Sequence, residues 1–103
     1  MRPLHFDLPA SSPSPRLARL TRHLAARLED FGPGGPQVVD CDQQAGRVTV
    51  RIPGYNSSDI VEGLRLFGIF TCTESELIQF YLNPDHTFEE LDHLWGCLLQ
   101  LLE

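Results

Sequence analysis

Three apolar stripes of helical period alternate with strand-like segments along this chain, and no other feature constrains its fold as tightly. Leu17, Leu20, Leu24, Leu28 and Phe31 advance by three and four residues, as one face of an amphipathic helix does. Ser14-Pro15 opens that helix, with serine as N-cap and proline at the first helical position. Gly32-Pro33-Gly34-Gly35-Pro36 ends it. Val38-Val39-Asp40-Cys41-Asp42 and Val48-Thr49-Val50-Arg51-Ile52 then read as two strands, with Gln43-Gln44-Ala45-Gly46 as the hairpin between them. Ser57 or Ser58 is expected to cap a second helix carrying Ile60, Val61, Leu64 and Phe67, with Gly68 as its stop. Ile69 to Thr73 and Leu77 to Leu82 read as further strands or strand halves. Thr87-Phe88-Glu89-Glu90 is a capping box. It starts a last helix with Leu91, Leu94, Trp95, Leu98, Leu101 and Leu102 on its apolar side.

This order implies an α+β two-layer sandwich. A three- or four-stranded, mainly antiparallel sheet carries packed helices, in the order α-β-β-α-β-(β)-α. With 103 residues the chain suits one domain, one modest core and no deep cleft. The expected core is Leu24, Leu28, Val39, Val50, Ile52, Leu64, Ile69, Ile78, Phe80, Leu91, Leu94 and Leu98. Residues 1–14, rich in proline and serine, read as an N-terminal arm on a single domain spanning 15–103. Leu4, Phe6 and Leu8 alternate with polar residues, a pattern that suits a short strand. The initiating methionine and the arm lead us to expect a natural start.

Composition removes several function classes. The net charge of -6 argues against a general nucleic-acid binder. No stretch approaches the ~18 apolar residues of a membrane helix, so neither nucleic acid nor membrane is an expected partner. The three cysteines at 41, 72 and 97 are odd in number and form no CxxC pair. Together with a start that lacks a signal-like apolar run, they point to reduced thiols in the cytoplasm. All eight basic residues are arginine, where roughly six lysines would be ordinary. With no lysine, no side chain of this chain forms a Schiff base with a carbonyl cofactor.

Several constellations have bland explanations. His86, Glu89, Glu90 and His93 have a spacing that metal ligands use. The acids, however, suit the positive end of the last helix, and His86 falls in the turn before it, so no metal is expected. Arg16, Arg19, Arg22 and Arg27 make the first helix basic, with no interleaved aromatics to stack bases. They read as a solvated face opposite acids on the body. Gly32–Gly35 follows a helix rather than opening one, so it is a linker and not a phosphate loop. Asp40 and Asp42 share strand parity but come with no pocket.

From about residue 15 onward, the sequence resembles the small C-terminal domain of fold-type-I pyridoxal-phosphate enzymes, the aminotransferases and cysteine-desulfurase-like enzymes. Gly46-Arg47-Val48-Thr49-Val50-Arg51-Ile52 resembles the strand before the family's small-domain helix. Leu64-Arg65-Leu66-Phe67-Gly68-Ile69 is similar to that helix's stop. Leu77 to Pro84 followed by Thr87-Phe88-Glu89-Glu90-Leu91-Asp92 is similar to the closing strand, loop and last helix. The resemblance implies a large domain that would bring the cofactor lysine, and these residues contain neither. Where the family's closing strand usually presents an arginine to a substrate carboxylate, Gln79 stands here. An amide lacks the charged fork of a guanidinium. The desulfurase branch carries a cysteine after the corresponding Gly-Ile, but Cys72 comes only three residues past Ile69. Glu74 and Glu76 nearby are expected to raise its pKa.

No cofactor and no catalytic residue is therefore expected for the chain alone. Gln79, Cys72, Arg51 and Asn83 are the candidate contacts to a ligand or partner. Three functions compete: a non-catalytic binding or protein-interaction module, a small-domain subunit of a split pyridoxal-phosphate transferase, and an amino-acid sensor. The expected partner is a second copy of the chain or a separate large-domain protein.

Overall fold

The computed structural model describes residues 2–102. The expected α+β sandwich forms around four antiparallel strands in the order β2-β3-β6-β5. These are β2 (Gln37–Asp42), β3 (Arg47–Arg51), β5 (Cys72–Glu74) and β6 (Leu77–Tyr81). A second, two-stranded parallel sheet pairs β1 (Leu4–His5) with β4 (Ile69–Phe70). The helices are α1 (Pro15–Glu29), α2 (Ser57–Leu66) and α3 (Phe88–Leu101).

Local chemistry fixes the helix ends. The Ser14 hydroxyl accepts the Leu17 N–H, with Pro15 at the first helical position. Thr87 and Glu90 satisfy each other's backbone N–H groups in a complete capping box. The cap of α2 departs from expectation. Asn56, not Ser57 or Ser58, accepts the Ser58 N–H at 2.8 Å, so both serines lie inside the first turn. Asparagine is as good a cap as serine, and here the chain reaches it first.

Side chains alternate across the sheet. Val48, Val50, Ile78 and Phe80 turn to one face, where they are buried with Leu17, Leu20, Leu24, Leu28, Leu91, Leu94 and Leu98 of the helices. Within the expected core Val39 is the exception, at 45% exposure. A β-bulge causes this: Val38 pairs with Val50 and Asp40 with Thr49, so Val39 is the extra residue with no partner. Val38 packs against the core instead. Val39→Thr should therefore change stability by less than about 0.5 kcal/mol, as at other open surface positions. Val50→Thr should cost roughly 1–3 kcal/mol, because it buries a hydroxyl. Urea melts of the two variants check this, and equal losses would contradict the bulge.

The segment Ile69–Thr73 is not one strand. It breaks at Thr71: β4 turns toward β1, while β5 pairs with β6. Phe31 lies beyond the end of α1, yet still packs on the core and meets Trp95 edge-on at 5.5 Å. Two arginines of α1 serve the fold rather than solvent. Arg27 binds Asp92 at 3.0 Å and lies over the Trp95 ring at 4.5 Å. Arg16 donates to the carbonyls of Pro84 and His86. No helix of the described residues is long and apolar enough to cross a membrane.

Candidate binding face

The parity that buries Val48, Val50, Ile78 and Phe80 sends the alternate residues of β3 and β6 to the opposite face. Arg47 and Thr49 of β3 stand there beside Tyr81 and Gln79 of β6. Asp40 and Asp42 join them across β2, and Cys72 and Glu74 across β5. Two polar groupings occupy this open face. Arg47 holds Asp40 at 3.2 Å and Asp42 at 3.5 Å. The aspartate hydrogen bond stabilises the guanidinium's charge and raises its pKa further. The second grouping is a chain: the Tyr81 hydroxyl donates to Gln79 Oε1 at 3.3 Å, and Gln79 Nε2 donates to Glu74 at 3.1 Å. Thr49, paired with Gln79, sits between the two groupings and is buried.

Gln79 is thus on the open face, with both ends of its amide engaged by its own neighbours. Cys72 is its cross-strand partner. The thiol is half-buried and points to the Asp7 carbonyl at 3.6 Å. Burial first, and the Asp7 carboxylate second, push its pKa up. The expected cause was the acids at 74 and 76; the operative acid comes from the N-terminal segment instead. A neutral, half-buried thiol is a poor nucleophile. Iodoacetamide at pH 8 should modify Cys72 several-fold more slowly than a free cysteine, by mass mapping of the native protein. Modification at the free rate would contradict this environment.

Arg51 and Asn83 are not brought together. Arg51 ends β3 and lines a cleft of about 290 Å³ with Tyr55, Asn56, Ser57 and Glu76. Asn83 follows β6 at the sheet's other end, where its side chain accepts the Asp85 N–H and its own N–H goes to His86. Of the four candidate contacts, only Gln79 and Cys72 meet. Tyr81, Arg47 and Thr49 belong to the same face and were missed. Parity with Gln79 along β6 was the available signal for Tyr81; Arg47 and Thr49 join the face only through the β3–β6 register. Among the described residues, no group of three or more His, Cys, Asp or Glu side chains is placed to hold a metal ion.

No protein-family model and no curated protein matches this sequence. Solved structures do match the fold. A NifS-like protein superposes with a TM-score of 0.73 at 17% identity, over 84% of this chain and 27% of its own. A lysine aminotransferase from M. tuberculosis gives 0.70 at 15%, over 84% and 21%. A serine palmitoyltransferase from Sphingomonas wittichii gives 0.66 at 18%, over 82% and 23%. The chain spans about a quarter of the length of these structures. It has the fold of the small domain of fold-type-I pyridoxal-phosphate enzymes. None of the 103 residues is a lysine, so this chain by itself supplies no amine for that cofactor's Schiff base.

Proposed function

We propose that this chain is a non-catalytic binding module that holds a partner protein on the open face of its four-stranded sheet. The observation that carries this reading is the face itself. Arg47, Asp40, Gln79, Tyr81 and Glu74 form an ordered polar surface on the side of the sheet away from the helical core. Polar groups fixed by their neighbours lose little side-chain freedom on docking, which favours specific recognition. Tyrosine and arginine are also the side chains that most often anchor protein interfaces. The fold occurs as about a quarter of a longer chain in its structural neighbours, which supports a partner as the missing body.

The test is affinity isolation of the tagged protein from its own cells, followed by native mass spectrometry. A second polypeptide should accompany it, and Tyr81→Ala with Arg47→Glu should release that polypeptide while the melting temperature stays within a few degrees. A bare monomer in gentle isolation, or a complex indifferent to both substitutions, would sink the reading.

The shares of chain covered, 84% here against 21–28% of the neighbours, favour one further reading. The partner would be a large-domain polypeptide supplying the lysine, and the pair a split transferase. A coloured complex containing a lysine-bearing second chain supports this; a colourless one leaves the binding module.

A further inference from the structure

Residues 4–7 wedge between β4 and the end of β6. The Leu4 N–H donates to Gly68 O at 2.8 Å, and Phe6 N–H to Phe70 O at 2.7 Å. On the other side, Tyr81 N–H donates to Phe6 O at 2.8 Å. The wedge fills the place beside β6 that β5 vacates, since the pairing of β5 with β6 reaches only Gln79. Phe6 is fully buried, and its ring stacks on the His86 imidazole with centroids 4.5 Å apart.

His86 closes this arrangement with both ring nitrogens. It faces the His5 carbonyl through Nε2 at 3.0 Å, which requires an N–H there. Nδ1 accepts the Asn83 N–H at 3.1 Å, which requires a bare lone pair. Only the neutral Nε2–H tautomer meets both demands. A proton on Nδ1 would set two N–H donors against each other and place a cation in a site only 6% exposed.

We propose that the N-terminal segment is a pH-gated strand: protonation of His86 frees residues 4–7 from between β4 and β6. The charged groups around His86 pull in both directions. Glu90 of α3 and Asp85 of the preceding turn favour the imidazolium, as does the bond to His5 O. Arg16 of α1, donating to the His86 carbonyl at 2.9 Å, opposes it. On the wedge side, the His5 ring is engaged with Asp7 at 3.2 Å and with Phe70. Burial outweighs the acids and holds the His86 pKa below its ordinary value. The sign follows. The folded state binds fewer protons here than the open one, so closure is fully present above about pH 6.5, the unperturbed value, and is lost as pH falls through the folded pKa.

Hydrogen exchange followed by NMR tests the gate on the intact chain. Between pH 7.5 and pH 5, protection factors of the Leu4 and Phe6 amides should fall about tenfold for each unit of depression in the His86 pKa, more than those of Leu94 and Leu98 in α3. The fall should begin near pH 6.5 and level off only once the His86 ring carbons and nitrogens have titrated in the closed state. His5→Gln should keep the step. His86→Gln, which cannot titrate, should abolish it; should that variant not fold, the levelling-off of the fall at the His86 ring titration in the unmodified protein decides. A constant ratio of wedge to α3 protection overturns the gate, as does a step that tracks the His5 ring.

Discussion

Phe6→Ala is expected to lower stability by about 3–5 kcal/mol, the ordinary loss for a fully buried phenylalanine in a core that cannot collapse around the gap. The ring has no exposed surface, stacks on His86 and belongs to the main core cluster. Its backbone is bonded on both sides, to Phe70 and to Tyr81. The substitution removes the ring's apolar burial and also loosens the backbone it anchors. In a domain of this size each kcal/mol moves the melting temperature by roughly 4–8 °C, so a fall of more than about 10 °C is expected. Leu8→Ala is the matched control. Leu8 is two residues further along the same segment and 60% exposed, and its loss should cost less than about 0.5 kcal/mol. Urea melts of both variants read the contrast. Equal, small losses would mean that the segment is a loose arm rather than a built strand.

That contrast marks what sequence could and could not disclose. Leu4, Phe6 and Leu8 have identical alternation, yet Phe6 is buried and Leu8 is not. What separates them is β4, paired with Leu4 at Ile69, far along the chain. A period cannot name its partner. Helix ends were legible because capping is local: Ser14 and the Thr87–Glu90 box act within three residues of themselves. The α2 cap was misplaced by a residue because three consecutive positions, Asn56, Ser57 and Ser58, all make good caps. Val39 was misplaced because a bulge changes parity midway along a strand that otherwise alternates. Of the open face, sequence disclosed Gln79 through resemblance to a family. The Tyr81 contact was one strand period away and readable. The Arg47–Asp40 pair was not, since it depends on the same bulge that exposes Val39. The environment of Cys72 likewise rests on Asp7, which only the docked wedge brings near.

Gly46→Val is expected to cost about 2–5 kcal/mol, from two separable causes. Gly46 closes the β2–β3 hairpin with φ +72°, a left-handed conformation that is strained by roughly 1–2 kcal/mol in any L-residue and more in a β-branched one. It is also hemmed in. A Cβ there would lie 2.7 Å from Leu17 Cδ1 and 3.0 Å from the Leu82 carbonyl oxygen. Leu17 is fully buried in α1. The Leu82 oxygen is backbone, and the Leu82 N–H is itself held by Gly46 O at 2.7 Å. Neither neighbour can give way without disturbing the seam between the hairpin, α1 and the end of β6, and overpacking of this kind costs roughly 1–3 kcal/mol. Gly54→Val isolates the first cause. Gly54 has φ +81° and nothing within 4 Å of the added carbon, so its variant carries the backbone strain alone. The difference between the two unfolding free energies measures the packing of the hairpin turn against α1. Equal losses in the two variants would mean that Leu17 and Leu82 do not close on the turn, and that the first helix sits further from the sheet than described.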